Sequence, residues 1–471
     1  MLKKLFLFLT ICMYGIRLSV YGQGGCLFIP DRYATVPKTA EASVGPQFAP
    51  LPSTFSLKSY VPPPQNQGTF QSCVPWAMGF ACYSTMWAIE QGVTNQKEIL
   101  EHAYSAMFPF LQISGGRNAA MDLKRMADFL MKEGDCLYQA FNPEDLDEFP
   151  TQPLVTAARN NRIAGYNALF ESDDPDSLKI MRVKQVLTLG KPVVAGLILD
   201  KTFGKLQGDT WNPTEVEAGG HAVLVVGYNN ALKAFEIMNS QGGDWGNEGF
   251  CYIGYEDFAK RCRETYELTL KKAPEIEELK GNFYFRYPTG YEEEEIVFEE
   301  AQTVYRSKGQ YGFVRTDWQV NDMFQVILRQ CQAEKYAYIF SIDAHNSMRI
   351  HLPREEQYGG GNRFLGVHES PKIPYDAAEI ILPDEHSGFA FTTFGTDNLI
   401  ILYSGKEIPD FLDAVQDVRN AEGSIYERLL EVWGNQLASP EEVQYETNKM
   451  EFRAEIRNDK IIPLILSVEA H

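Results

Sequence analysis

From Val74 onward the apolar positions fall at helical spacing: Val74, Ala77, Ala81, Cys82, Thr85 and Ile89 form one stripe, and Trp76, Phe80, Tyr83 and Trp87 a second. A helix apolar on both sides is predicted to be buried. Pro75 is tolerated only where no intrahelical amide donor is needed, so this helix is predicted to begin within a residue or so of Cys73. Further helices are predicted from Gln96 to about Leu111 behind Asn95 as cap, and from Ala119 to Glu133, closed by Gly134. The stretch "DSLKIMRVKQVLTLGKPVVAGLILD" reads as a helix stopping at Gly190 and a buried strand from Val193 to Leu199. Strands are predicted at His221 to Tyr228, Phe235 to Asn239, Phe250 to Tyr255 and Thr265 to Leu270. Helices first and strands later is an α+β order.

Either side of this block the pattern changes. Residues 23–50 carry Pro30, Pro37, Pro46 and Pro50 with little periodicity and read as an extended arm. Residues 273–300, with Pro274, Pro288, Gly290 and the acidic run Glu292 to Glu295, read as a linker whose charges are solvated. Beyond it, "MFQVILRQCQ", "KYAYIFSIDA", "SMRIHLP", "AEIILP", "GFAFTTF" and "NLIILYS" are short strands spaced by turn residues. Such spacing predicts a β-sandwich over 301–471, completed by helices near Pro409 to Val418 and Ser424 to Trp433 and a closing strand pair.

The chain has 471 residues, enough for more than one domain. The first residues set Lys3 and Lys4 before an apolar run from Leu5 to Ile16, the pattern of a secretory signal peptide over 1–22 cleaved near Gly22; no run reaches membrane length. Anchoring of the mature chain through a lipid on Cys26 is not expected, because Gln23 stands where an aliphatic residue is wanted. Lys and Arg total 43 against 63 Asp and Glu, a net charge of −20 that repels phosphate backbones, so nucleic acid is not an expected partner. Outside the signal the cysteines are Cys26, Cys73, Cys82, Cys136, Cys251, Cys262 and Cys331. An odd count in an exported chain leaves at least one thiol over. With no Cys-x-x-Cys pair, neither a zinc site nor a redox motif is indicated, and no cofactor is implied. His345 and His351 lack a third ligand for a metal, and "YGGGNRF" lacks the Lys-Ser/Thr of a phosphate loop.

Cys73 at a helix N-terminus lies where unpaired amides and the macrodipole favour a thiolate, although most cysteines are small buried hydrophobes. A thiolate nucleophile needs an imidazole, and only His102 and His221 precede the linker. His102 reads as a helix-face residue. His221, in "AGGHAVLVVGYNN", opens a buried strand after two glycines that let other backbone or a substrate come close. Asn239, in "FEIMNSQGGDWGNEGFCYI", ends a strand where its amide can hold the imidazole's tautomer, or simply form a turn. Gln67, six residues before Cys73, can aim its amide at a developing oxyanion.

Three stretches in this order, "QGTFQSCVPWA", "GHAVLVVGY" and "NSQGGDWGNEGF", resemble the nucleophile, histidine and asparagine motifs of the papain-like cysteine peptidases. The resemblance covers about residues 51–272 and implies a two-lobe fold, followed here by the β-sandwich-type domain. It implies Cys73 as nucleophile, His221 as base and then acid, Asn239 as orienter and Gln67 as oxyanion donor. Gly115 and Gly116, in "GGRNAAMDLKRMADFLMKEG", would run beside the substrate backbone, with Trp245 near the leaving-group side. Peptides or proteins are the implied substrates, cleaved through a thioester. The C-terminal half resembles an uncharacterised β-sandwich domain found attached to bacterial peptidases, expected to bind an unnamed partner. Departures are Gln71 for a glycine, Gln241 for a tryptophan, which would leave the Asn–His contact wetter, and Phe70 for a disulfide cysteine, which requires packing instead. An inhibitory helical pro-segment cannot be built from residues 23–50, so latency is expected from the arm or the C-terminal domain lying over the cleft. A non-catalytic binding module and a thioester-using acyl transferase are the competing readings.

Overall fold

The computed structural model describes residues 24–39, 43–44, 50–214, 216–292, 295–354, 369–376 and 378–471. The signal region and the "YGGGNRF" turn lie outside them.

The helix that begins at Cys73 is the spine of the first half. It runs as an α-turn at Cys73–Pro75, widens to π geometry over Trp76–Tyr83, and returns to α over Ser84–Gln91 until Gly92 reverses the chain at φ +66°. Pro75 sits in the first turn, where its missing amide costs nothing, and every residue from Cys73 to Tyr83 is buried, as a doubly apolar pattern requires.

The predicted helix from Gln96 to Leu111 is instead two: Gln96–Glu101 and Met107–Ser114. Pro109 explains the break, because within one long helix its ring would clash with the carbonyl four residues earlier. In the observed second helix it falls in the first turn, where Ser105 Oγ accepts the amides of Met107 (3.1 Å) and Phe108 (2.9 Å). The helix expected from Ala119 begins only at Leu123, since Asp122 caps it by accepting the Arg125 amide at 3.0 Å and Met121–Asp122 is a short strand.

The second lobe is a sheet in the order Ile163–Asn167, Cys262–Leu270, Val193–Asp200, Glu217–Asn229, Ala234–Met238, Phe250–Gly254, Thr210–Trp211. Its central strands Val193–Asp200 and Glu217–Asn229 are antiparallel, with Leu197 opposite His221. One face packs on the Cys73 helix through Ala222, Leu224 and Val226; the other buries Val223, Val225 and Phe235. By alternation His221 lies on the side of Val223 and Val225, while its neighbour Ala222 faces the Cys73 helix.

The acidic segment is not a linker. Ile276–Glu292 is a 17-residue strand at the heart of the C-terminal half, pairing with Met323–Arg329, Met450–Arg457 and Glu295–Glu300. Its alternation buries Leu279, Phe283 and Phe285 while Glu278 and Lys280 face outward; Glu293 and Glu294 of the acidic run lie outside the described residues. A second sheet, in the order Thr303–Ser307, Gln310–Phe313, Ile461–Ala470, Gly395–Ser404, Tyr336–Ile342, Met348–Leu352, packs against this one over Leu328, Ile339, Ile401 and Leu464. The two sheets share one core. The closing strands are not a pair: Met450–Arg457 joins the first sheet and Ile461–Ala470 the second. Helices Phe411–Asn420 and Ile425–Trp433, the latter with Ser424 and Glu427 as a capping box, cover the second sheet's outer face.

Candidate active site

Cys73 opens its helix with no side-chain cap at Ser72, leaving first-turn amides for the thiol. Sγ meets the backbone amides of Ala222, Gly25 and Val74, which places it beside the histidine strand. Cys73 is fully buried, and burial pushes its thiol up to about 11 against the pull of those amides. The thiolate expected from the helix terminus alone is thus not what this conformation favours.

His221 is also fully buried, and its Nε2 lies 2.7 Å from Asn239 Oδ1. The Ser240 amide donates to the same oxygen at 2.8 Å, which fixes the asparagine with its carbonyl toward the ring. Nε2 must then carry the proton, and Nδ1 is the basic nitrogen. Gln241 does not leave this contact wet: the Phe203 ring stands edge-on to the imidazole at 5.5 Å, and Trp245 packs on Phe203 at 4.8 Å with its Nε1 donating to Phe203 O at 2.7 Å. Phe203 carries no motif, and reading the sequence did not find it.

Gln67 is tied across the seam. Its amide donates to Ser240 O at 2.8 Å, Ser240 Oγ donates to its Oε1 at 2.6 Å, and its Nε2 donates to Phe70 O at 2.8 Å. With Oε1 held by Ser240, the amide nitrogen is turned toward the Phe70–Cys73 bend, and one of its two hydrogens remains for a ligand. Phe70 packs on Phe110 at 6.4 Å between ring centroids.

Gly115 and Gly116 end the helix Met107–Ser114 at φ +63° and +74°, and a Cβ on Gly116 would stand 2.9 Å from Phe149. The short strand Met121–Asp122 that follows is already paired: Cys26–Leu27 of the arm lies parallel to it, with Cys26 opposite Met121. Glycines make the approach possible. A Cβ on Gly25 would stand 2.6 Å from Gln71 O, one on Gly24 2.8 Å from Gly220 O, and one on Gly220 2.3 Å from Cys26 O. The two glycines before His221 thus admit a neighbouring backbone, and that backbone belongs to this chain. The Phe28 ring fills a slot over Gly196 and Gly220, 2.6 and 2.7 Å from where their Cβ atoms would be. Below it Glu264, 4% exposed, accepts the Ile29 amide, and burial with Asp122 nearby pushes its carboxyl up to about 8.

None of the seven described cysteines is paired in a disulfide. In the C-terminal half His351 shares a 2.8 Å hydrogen bond with Ser341 Oγ, and burial, with Arg349, lowers its pKa to about 4. No helix among the described residues is long and apolar enough to cross a membrane.

No family model matches the chain. An uncharacterized peptidase C1-like protein of Acanthamoeba polyphaga mimivirus is 26% identical over 227 residues, covering 43% of this chain and 69% of that protein. Among solved structures, xylellain, a cysteine protease from Xylella fastidiosa, overlaps 54% of this chain and 99% of its own at 21% identity and TM-score 0.43. The digestive procathepsin L2 proteinase of Tenebrio molitor overlaps 53% and 78% at 19% identity and TM-score 0.42. The chain resembles the papain-like cysteine peptidases over about half its length.

Proposed function

We propose that this chain is an exported cysteine peptidase that hydrolyses peptide bonds of peptide or protein substrates through a thioester on Cys73. The observation that carries the reading is the His221–Asn239 hydrogen bond of 2.7 Å on the strand whose next residue, Ala222, offers its amide to the Cys73 thiol. Nδ1 of His221 takes the thiol proton as Sγ attacks the substrate carbonyl carbon, and the C=O electrons move onto oxygen. That oxyanion is stabilised by the Cys73 amide and the remaining Nε2 hydrogen of Gln67. As the tetrahedral intermediate collapses, the imidazolium gives its proton to the departing amine nitrogen and the thioester is left. Water then attacks the thioester with His221 as base, the C–S bond breaks, and the proton returns to the thiol.

Asn239 keeps the ring turned so that Nδ1 rather than Nε2 is the working nitrogen. Met121 and Asp122 supply the backbone edge for the substrate, the part expected of Gly115 and Gly116; Trp245 acts by holding Phe203 over the imidazole. Export rests on the Lys3–Lys4 and apolar pattern at the start of the chain. Neither a non-catalytic module nor an acyl transferase gains support from the relatives.

An epoxysuccinyl thiol probe tests the reading. The chain with Phe28→Ala, which empties the slot beside the nucleophile, is expected to take up one probe at Cys73, and the same chain with Cys73→Ala to take up none. Equal uptake by both would sink the proposal.

A further inference from the structure

The arm in the cleft is held at four places, and the last two lie in or against the C-terminal half. Its cleft end is slight: a two-residue strand, a few glycine contacts and the Phe28 ring. Its middle is bolted to the sheet lobe by Tyr33, whose hydroxyl donates to Phe170 O at 2.7 Å, and by the fully buried Val36. At Lys38 the arm makes an isolated β-bridge to each half, to Ala168 of the sheet lobe and to Glu369 of the C-terminal half. The Ser370 amide donates to Lys38 O at 2.6 Å. Farther on, Ser43–Val44 adds an antiparallel strand to the edge of Ala378–Leu382.

The segment that crosses over Lys38 is itself fastened down. Lys372 Nζ, two residues beyond Ser370, lies 3.0 Å from Glu267 of the sheet lobe and 3.0 Å from Glu334 of its own half, and Lys191 of the sheet lobe pairs with Glu334. Lys372 and Glu267 are 3% and 5% exposed, so the cluster is a buried junction between the halves with the arm running beside it.

We propose that the C-terminal half is the clamp that keeps the arm in the cleft: the enzyme is latent while Glu369–Lys372 holds Lys38 and the Ala378–Leu382 edge holds Ser43–Val44, and separating the halves frees Cys73. This rests on the reading of Cys73 as the nucleophile. The physical step is one of effective concentration: a short strand too weak to stay in the groove by itself stays because the same chain is tied again at Lys38 and Ser43–Val44. Nothing covalent is needed. The thiol meets an amide hydrogen of the arm at Gly25, not a carbonyl carbon.

The test uses the full chain and the rate of probe attachment at Cys73, located by peptide mass. Wild type is expected to react slowly, Phe28→Ala at least tenfold faster, and Lys372→Met and Val44→Pro several-fold faster. If Lys372→Met and Val44→Pro react as slowly as wild type while Phe28→Ala is fast, the clamp is overturned and the peptidase reading stands. If Phe28→Ala leaves Cys73 silent, the peptidase reading falls and the clamp with it. A lock separates release from misfolding: Ser43→Cys with Glu379→Cys, at positions that face each other across the pairing, added to Lys372→Met. Oxidised, it is expected to restore wild-type protection, and reduced, to lose it. Equal rates in both states overturn the clamp.

Discussion

Each half holds a hydrogen-bonded histidine beside an aromatic ring, His221 fully buried and His351 half-buried. His221 bonds to an amide oxygen and lies edge-on to Phe203; His351 bonds to a serine hydroxyl and lies 4.3 Å from the Phe389 ring. What separates them is the next neighbour. Beside His221 stands a thiol supplied by a helix terminus, whereas His351 lies on a strand with no such group among its bonded partners. The same contrast holds for two buried glutamines. Gln325 donates to Asp384 O and Ser387 O and accepts from Arg286, so its amide is saturated. Gln67 keeps one hydrogen. Burial and hydrogen bonding alone mark a structural residue; the amide hydrogen left over on Gln67 is what sets it apart from Gln325.

The strongest way to break this comparison is to remove the base from each half. With the slot emptied by Phe28→Ala, His221→Ala is expected to lower kcat/KM on peptide substrates by at least about 10³-fold, since the thiol loses both its proton acceptor and the acid for the leaving amine. His351→Ala is expected to leave kcat/KM unchanged. Comparable losses from the two would erase the distinction.

The glutamines give the next largest effect. In the same background Gln67→Ala should cost about 10²-fold in kcat with little change in KM, because an oxyanion donor acts only when charge develops on the carbonyl oxygen. Gln325→Ala leaves two carbonyls and Arg286 without their partner, so it is expected to destabilise the C-terminal half by about 1–3 kcal/mol, read as a fall in Tm, with turnover untouched. A loss of turnover in proportion to the lost stability in both variants would mean that the two residues do the same job.

Much of the site was legible because its residues sit where local chemistry and periodicity agree. Pro75 and the doubly apolar stripe set the helix start at Cys73, and the apolar run after His221 set the strand. Pairing was not legible. That Cys26–Leu27 would lie along Met121–Asp122, or Ser43–Val44 along Ala378–Leu382, depends on contacts between residues about a hundred and several hundred positions apart, which no local pattern records. The glycine pairs at 24–25 and 219–220 were the available signal, since each asks for a close backbone without saying whose. The strand Ile276–Glu292 was missed for a different reason: Pro274, Pro288, Gly290 and the acidic run Glu292 to Glu295 outweighed the alternation of Leu279, Phe283 and Phe285.

Acid groups in the two seams provide the smallest and sharpest test. Glu267, at the junction with the C-terminal half, is buried, yet Lys372 and Lys191 hold its carboxyl below the ordinary range. Its contribution to stability is present above the unfolded carboxylate pKa of about 4.3 and fades as pH falls below it. Glu264, beneath the arm, is the reverse case. Burial and Asp122 raise it to about 8, with Tyr266 on its own strand and Lys38, Cys26 and Tyr33 of the arm also facing it. The packed arm therefore binds this proton more tightly than the open chain. The stability it lends is complete below about pH 4.3 and is lost as pH rises to about 8, so the arm's seat should loosen across that window. Thiol ionisation also speeds labelling with pH, but it does so equally in wild type and Glu264→Gln, which cannot charge. The ratio of their Cys73 labelling rates is expected to climb several-fold between pH 5 and pH 8. A flat ratio would mean that the arm does not feel this carboxyl and that the seam under it carries no more function than the saturated core of the other half.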